Sequence, residues 1–222
     1  MVFLRKESGC CMVPSLDLME FIEQEILPRY TQFDAAHNLS HVKNVINTSL
    51  ALARENGADV NMAYAVAAYH DLGLEGPRAI HHITSGKILQ ADRRLRKWFS
   101  EHQIAMMRQA VEDHRASASH EPRNLYGKIV AEADRDLTPD HVILRTIQFG
   151  MAHYPELDQE KHWERLVQHL QEKFGINGYI KLWMPRSQNE KNLQELRQLI
   201  ANPTLLRERF NQFFTQEKQT QK

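Results

Sequence analysis

Apolar residues recur along this chain at steps of three and four, and no useful length of strand-like alternation interrupts them. Leu16 to Leu27 carries Leu18, Phe21, Ile22 and Ile26 and stops at Pro28. Ser40 is a suitable N-cap for a helix reaching about Asn56, with Val42, Val45, Ile46, Ser49 and Ala53 on one face and Gly57 as its stop. Asn61 to Asp71 reads as the next helix, closed by Gly73 and Gly76-Pro77, and a basic helix follows from Thr84 to about Phe99. Ser100 and Gln103 form a capping-box pattern ahead of Ile104, Met107, Val111 and His114. Beyond Pro122, helices are predicted over Leu125–Leu137 and, after Pro139, over Val142–His153. After Pro155 the chain changes character. Leu157–Phe174 is amphipathic, Gly175 and Gly178 break it, and Asn192–Phe214 is helical with an interruption at Asn202-Pro203. The pattern predicts an all-α protein.

Composition narrows the field without naming a function. The 222 residues are 42% hydrophobic and 25% charged, ordinary for a globular protein with a real core. Formal net charge is zero, which argues against general nucleic-acid binding, since that needs a basic surface. No stretch approaches the ~18 apolar residues of a membrane span, so no membrane association is expected. The only two cysteines, Cys10 and Cys11, are adjacent, which excludes a disulfide framework and suits a reducing, cytoplasmic compartment. Residues 1–14 lack the apolar run of a signal peptide and read as a loose tail.

Polar residues that break the apolar stripes carry the chemistry. His70 follows Val66 by four residues and Ala63 by seven. Asp71 follows Ala67 by four, and Asp134 follows Val130 by four. His41 stands one turn before Val45. A buried carboxylate without a partner costs on the order of several kcal/mol, and a divalent cation removes that cost because imidazole nitrogen and carboxylate oxygen both ligate it. Four ligands from three helices can converge inside a helical bundle.

The set His41, His70-Asp71 followed by Leu72-Gly73, and Asp134 resembles the HD-domain superfamily of metal-dependent phosphohydrolases. His37-Asn38-Leu39-Ser40-His41-Val42 is similar to the opening motif of that superfamily, and Ala131-Glu132-Ala133-Asp134-Arg135 to its closing motif. The resemblance spans roughly residues 33–149. It implies an HD-type helical bundle, assigned here to residues 15–155, with a helical C-terminal extension or subdomain over 156–222. It also implies a site for one or two divalent ions, with iron, manganese, nickel, cobalt and zinc all compatible with mixed His and carboxylate ligands.

Eight of the twelve histidines lie between His37 and His120. Dinuclear members of the superfamily place extra histidines between the doublet and the last aspartate. On that basis His82 and His114 are the candidates for a second ion, with His120 third; for His81 and His120 a place at the site and a solvated loop position both stand open. With two ions, Asp71 would bridge them. The alternative is a mononuclear site with His82 and His114 touching substrate. His37 falls in the loop before the helix of His41, as a substrate contact or a neighbour of the ligands. Lys87 and Arg115 are the expected phosphate ligands and, with Asp71, the expected catalytic residues; Glu112 and Asp113 are candidate acceptors or general acids.

The expected activity is hydrolysis of a phosphate ester or anhydride, in a nucleotide or related small molecule, by metal-activated water. Neither a Gly-rich phosphate loop nor a serine nucleophile elbow is present. A non-catalytic metal-binding regulator with the same fold, and a helical interaction protein, are the alternatives. The C-terminal stripe Trp163, Leu166, Leu170 and Phe174 leaves a homodimer open, with core packing as its other use.

Overall fold

A computed structural model of the chain describes residues 12–33, 37–116, 118 and 120–220. Most of the N-terminal tail, including both cysteines, lies outside the described residues. Among the described residues there are ten α-helices and no strand. The expected all-α class is what the chain adopts, and among the described residues no helix is long and apolar enough to cross a membrane.

The chain divides into two compact units, Met1–Asp134 and Arg135–Lys222. The first holds α1 (Leu16–Phe21), α2 (Leu39–Glu55), α3 (Val60–Tyr69), α4 (His81–Ala91), α5 (Glu101–Glu112) and α6 (Leu125–Ala133). Every residue of α3 except Asn61 is buried, which suits a helix that is apolar on all sides. It packs against α2, α4, α5 and α6, so its C-terminal end, where His70 and Asp71 follow, opens in the middle of the unit. After α1 the chain widens into a π-turn segment, Ile22–Ile26, and tightens into a 3-10 segment, Leu27–Gln32, that buries Tyr30.

Local chemistry shifts several helix ends from their expected places. Asn38, not Ser40, caps α2; its side chain accepts from the backbone N–H groups of Ser40 and His41. This leaves His37 ahead of the helix, as expected. The basic helix expected from Thr84 to Phe99 is two elements. Helix α4 begins at His81, and Asp92 turns the chain into a 3-10 segment, Arg93–Lys97, by accepting from the Arg94 N–H. The capping box at Ser100 and Gln103 is formed at the start of α5.

The second unit is α7 (Pro139–His153), α8 (Gln159–Phe174), α9 (Gln188–Ile200) and α10 (Pro203–Thr220). Helix α7 packs against α8, α9 and α10, so the division falls after Asp134 and not at Pro155, the boundary expected from sequence. Pro155 lies in a tight connection where the Leu157 N–H donates to the Tyr154 carbonyl at 3.1 Å. Leu166, Leu170 and Phe174 of the amphipathic stripe are buried, and Trp163 packs on Phe210 at 5.5 Å between ring centroids, so the stripe serves the core of this unit.

Ser100→Ala removes the hydroxyl that accepts from the Gln103 N–H and is expected to lower stability by about 1 kcal/mol. Urea unfolding followed through the first unit should show a lower midpoint at unchanged slope, and Ser100→Asp, which keeps an acceptor, should recover most of the loss.

Candidate metal centre

The HD doublet sits where α3 ends. His70 still has helical backbone angles, while Asp71 has left them, with φ −110° and ψ 4°. Tyr30, fully buried, secures this turn. Its hydroxyl donates to the Ala68 carbonyl at 3.0 Å and accepts from the Asp71 N–H at 3.4 Å. The next turn, Leu72–Glu75, lies directly against the start of α4. The Gly73 N–H donates to Ser85 Oγ at 2.8 Å, and a Cβ on Gly73 would stand 2.0 Å from the His81 carbonyl oxygen. Only glycine permits this approach, which carries His81 to the Asp71 carboxylate.

Among the described residues two groups of ligand atoms result, each with all atoms within 4.8 Å of one another: His41, His70, Asp71 and Asp134; and Asp71, His81 and His114. In the first, His41 Nε2 lies 3.2 Å from Asp134 Oδ1 and 3.7 Å from Asp71 Oδ2. His70 Nε2 lies 3.2 Å from Asp71 Oδ2 and 3.7 Å from Asp134 Oδ1. In the second, Asp71 offers its other oxygen, with Oδ1 3.3 Å from His81 Nε2 and 3.4 Å from His114 Nε2. Ligand atoms bound at about 2.0–2.2 Å to one cation stand roughly 3.0–3.5 Å apart, so these separations fit a bound ion.

Hydrogen bonding on the far side of the rings supports the same reading. Nδ1 of His70 lies 2.7 Å from the Ala67 carbonyl, Nδ1 of His81 2.8 Å from that of Arg78, and Nδ1 of His114 2.7 Å from that of Val111. A carbonyl can only accept, so each Nδ1 carries the proton, and in the neutral ring Nε2 is a bare lone pair aimed into the site. His81 Nε2 and His114 Nε2 face each other at 3.2 Å, an arrangement two lone pairs oppose unless positive charge is shared with them. The buried Nε2 atoms of His41 and His70 have no hydrogen-bond partner. The donor set, six of whose contacts place nitrogen beside carboxylate oxygen, therefore fits one divalent cation or two, which Asp71 would help to hold.

Burial opposes ionisation of Asp71 and Asp134, but the surrounding imidazoles win and hold both carboxyls well below their ordinary range. Burial likewise pushes His70 down, and the Asp71 and Asp134 carboxylates override it, so without a cation this ring tends to keep a second proton. A proton then stands where the cation would stand.

The remaining sequence expectations divide. His41, His70, Asp71, Asp134 and His114 are brought together, but His82 is not in either group, and His81 takes the position expected for it. Because α4 starts at His81, that residue shares a face with Ser85, while His82 is turned about 100° away. Burial, with Arg115 and His114 nearby, pushes His82 down to about 4, so it is neutral at pH 7. The pair His81 and Ser85, facing Gly73, was a signal available in the sequence. Lys87, expected on phosphate, lies about 200° around α4 from buried Ser85 and is exposed. Arg115 stays near the second group, its Nη1 donating to the Ala79 carbonyl at 2.8 Å. His120 is exposed and outside both groups. Asp113 and Glu112 are engaged by Arg123, at 2.8 Å in each case, and brace the loop after α5.

Residues 38–138 match the family model of the HD domain, a span that contains all six ligand candidates. That segment is therefore similar to the HD domain, the family that its residue pattern resembles. A solved structure described as a predicted HD superfamily hydrolase from an uncultured Thermotogales bacterium is similar at 20% identity and a TM-score of 0.48, over 72% of this chain and 91% of that one. No curated protein matches the chain.

Asp71→Ala is expected to abolish cation binding at both groups, and His114→Ala to lower the metal content from two ions to one, as read by elemental analysis. Unchanged stoichiometry in His114→Ala would remove it from the second group. The raised His70 pKa makes a further prediction. Stability from its extra proton is present below about pH 6.5 and is lost as pH rises through the raised value, while the carboxylates stay ionised throughout. In chelator, the melting temperature should fall as pH rises above about 6.5, and saturating cation should remove that fall.

Proposed function

We propose that the protein is a phosphohydrolase that cleaves a phosphate ester or anhydride in a small molecule, with nucleotides as the leading class. The single observation that carries this reading is the convergence of Nε2 lone pairs on both oxygens of one buried carboxylate, with the site still reachable from solvent. His70, Asp71 and His114 are buried, whereas the side chains of His41 and Asp134 are 23% and 24% exposed. A purely structural metal site closes its coordination sphere, and a catalytic one keeps a side open.

When bound, a divalent cation lowers the pKa of water to about 7 and polarises a phosphoryl oxygen. His41, His70, Asp71 and Asp134 would hold one such ion, and Asp71, His81 and His114 a second. The backbone carbonyls of Ala67, Arg78 and Val111 keep the His70, His81 and His114 rings in the ligating tautomer. Asp71, its turn secured by Tyr30, places one oxygen toward each group. Arg115 supplies fixed positive charge next to the second group, where it can stabilise charge that develops on a phosphoryl oxygen.

Protein purified without a His-tag and without added metal, analysed for its elements and assayed on nucleotides and other small phosphate esters, tests this function. Expected is phosphate release that depends on bound cation and is lost in chelator and in Asp71→Ala. Cation-loaded protein that turns over none of these substrates would favour a binding role instead.

A further inference from the structure

Away from the metal centre, the first unit holds a cavity of about 650 Å³. One wall is α2, and the other is α1 with the two segments that follow it. The 3-10 segment Leu27–Gln32 packs against α2 and the π-turn segment Ile22–Ile26 against α3, and the cavity lies where these walls part, over Tyr64 of α3. On α2 the lining residues Leu39, Lys43, Ile46 and Leu50 recur at steps of four, three and four, so they share one face. His41 is two residues from both Leu39 and Lys43, which turns it about 160° from each of them. None of the metal-centre ligands lines the cavity. Its volume falls within the ~300–1,000 Å³ of small-molecule sites.

Polar groups on the cavity surface lack partners among the described residues. Tyr64 is 3% exposed and lines the cavity, and its hydroxyl makes no hydrogen bond. Burial and the nearby Glu23 charge push this hydroxyl up to about 12, so at pH 7 it keeps a proton to donate. Lys43 on α2 and Glu23 on the facing wall are exposed, and neither forms an ion pair with the other or with a third residue. We propose that this cavity binds a small zwitterion with an ammonium and a carboxylate at opposite ends of an apolar body, as in a short apolar peptide. The carboxylate meets Lys43, the ammonium meets Glu23, and the body covers Leu39, Ile46 and Leu50, with the Tyr64 hydroxyl free to donate to a carbonyl between the two ends. Unpaired charges of opposite sign on facing walls complement a guest that carries both signs. A purely anionic guest would instead bring like charge to Glu23, which costs affinity. This inference is independent of the phosphohydrolase reading.

Calorimetric titration of the full-length protein with leucyl-leucine, both cation-loaded and in chelator, tests the site. Expected is saturable one-to-one binding of equal affinity in the two states. Glycyl-glycine, which lacks the apolar body, N-acetyl-leucyl-leucine, which lacks the ammonium, and leucyl-leucine amide, which lacks the carboxylate, should each bind more weakly by about tenfold or more. Glu23→Gln should weaken leucyl-leucine by a similar factor and leave N-acetyl-leucyl-leucine unchanged. Lys43→Met should weaken leucyl-leucine and leave the amide unchanged. Metal content in both variants should equal that of the wild type. Absence of leucyl-leucine binding, equal affinity for glycyl-glycine, wild-type affinity in either variant, or binding confined to the cation-loaded protein would each overturn the proposal.

Discussion

The structure depends on a repeated hydrogen bond, from Nδ1–H of a histidine to the carbonyl three residues before it. At His70, His81 and His114 this bond decides which nitrogen carries the proton and so leaves Nε2 as the free lone pair. Those lone pairs meet around the two oxygens of Asp71. Without positive charge between them, an arrangement of bare nitrogens and a buried carboxylate is repulsive and poorly solvated. With it, the same atoms become ligands. The core of the first unit is thus assembled around groups that need a cation or extra protons to be stable together.

The fold brings these groups together through two contacts that have no tolerance. Helix α3 is buried on all sides, so whatever follows its last turn is delivered to the interior, and Tyr30 bonds to both Ala68 and Asp71 there. Gly73 then lets the following turn touch the backbone of α4 at His81. Any side chain at that position would hold the second set of ligands away from Asp71, which explains in packing terms why a glycine stands two residues after the doublet.

Much of this was legible in the residue pattern. His41, His70, Asp71 and Asp134 stood out because each interrupts or opens an apolar stripe, and a polar group in such a place needs a strong partner. The capping box at Ser100 was equally plain, since both of its bonds are made within four residues. Less legible were features set by competition between near neighbours. Asn38 and Ser40 are both good caps, and only the path of the chain into α2 shows that Asn38 is used. His81 and His82 are adjacent and chemically identical, so a three-residue error in the start of α4 exchanged their roles. Pro155 looked like a boundary, yet the partners of α7 are α8, α9 and α10.

Helical class and the four His and Asp side chains of the first cluster were written in the chain itself, because periodicity and side-chain chemistry are local properties. Which histidine joins His114 and where one unit ends are set by contacts between residues far apart in sequence. Those depend on the rotation of each helix about its axis and on backbone approaches such as that of Gly73 to His81. A shift of one residue turns a helical side chain by about 100°, so such choices lie below the resolution of a periodic pattern and are decided only when the helices pack.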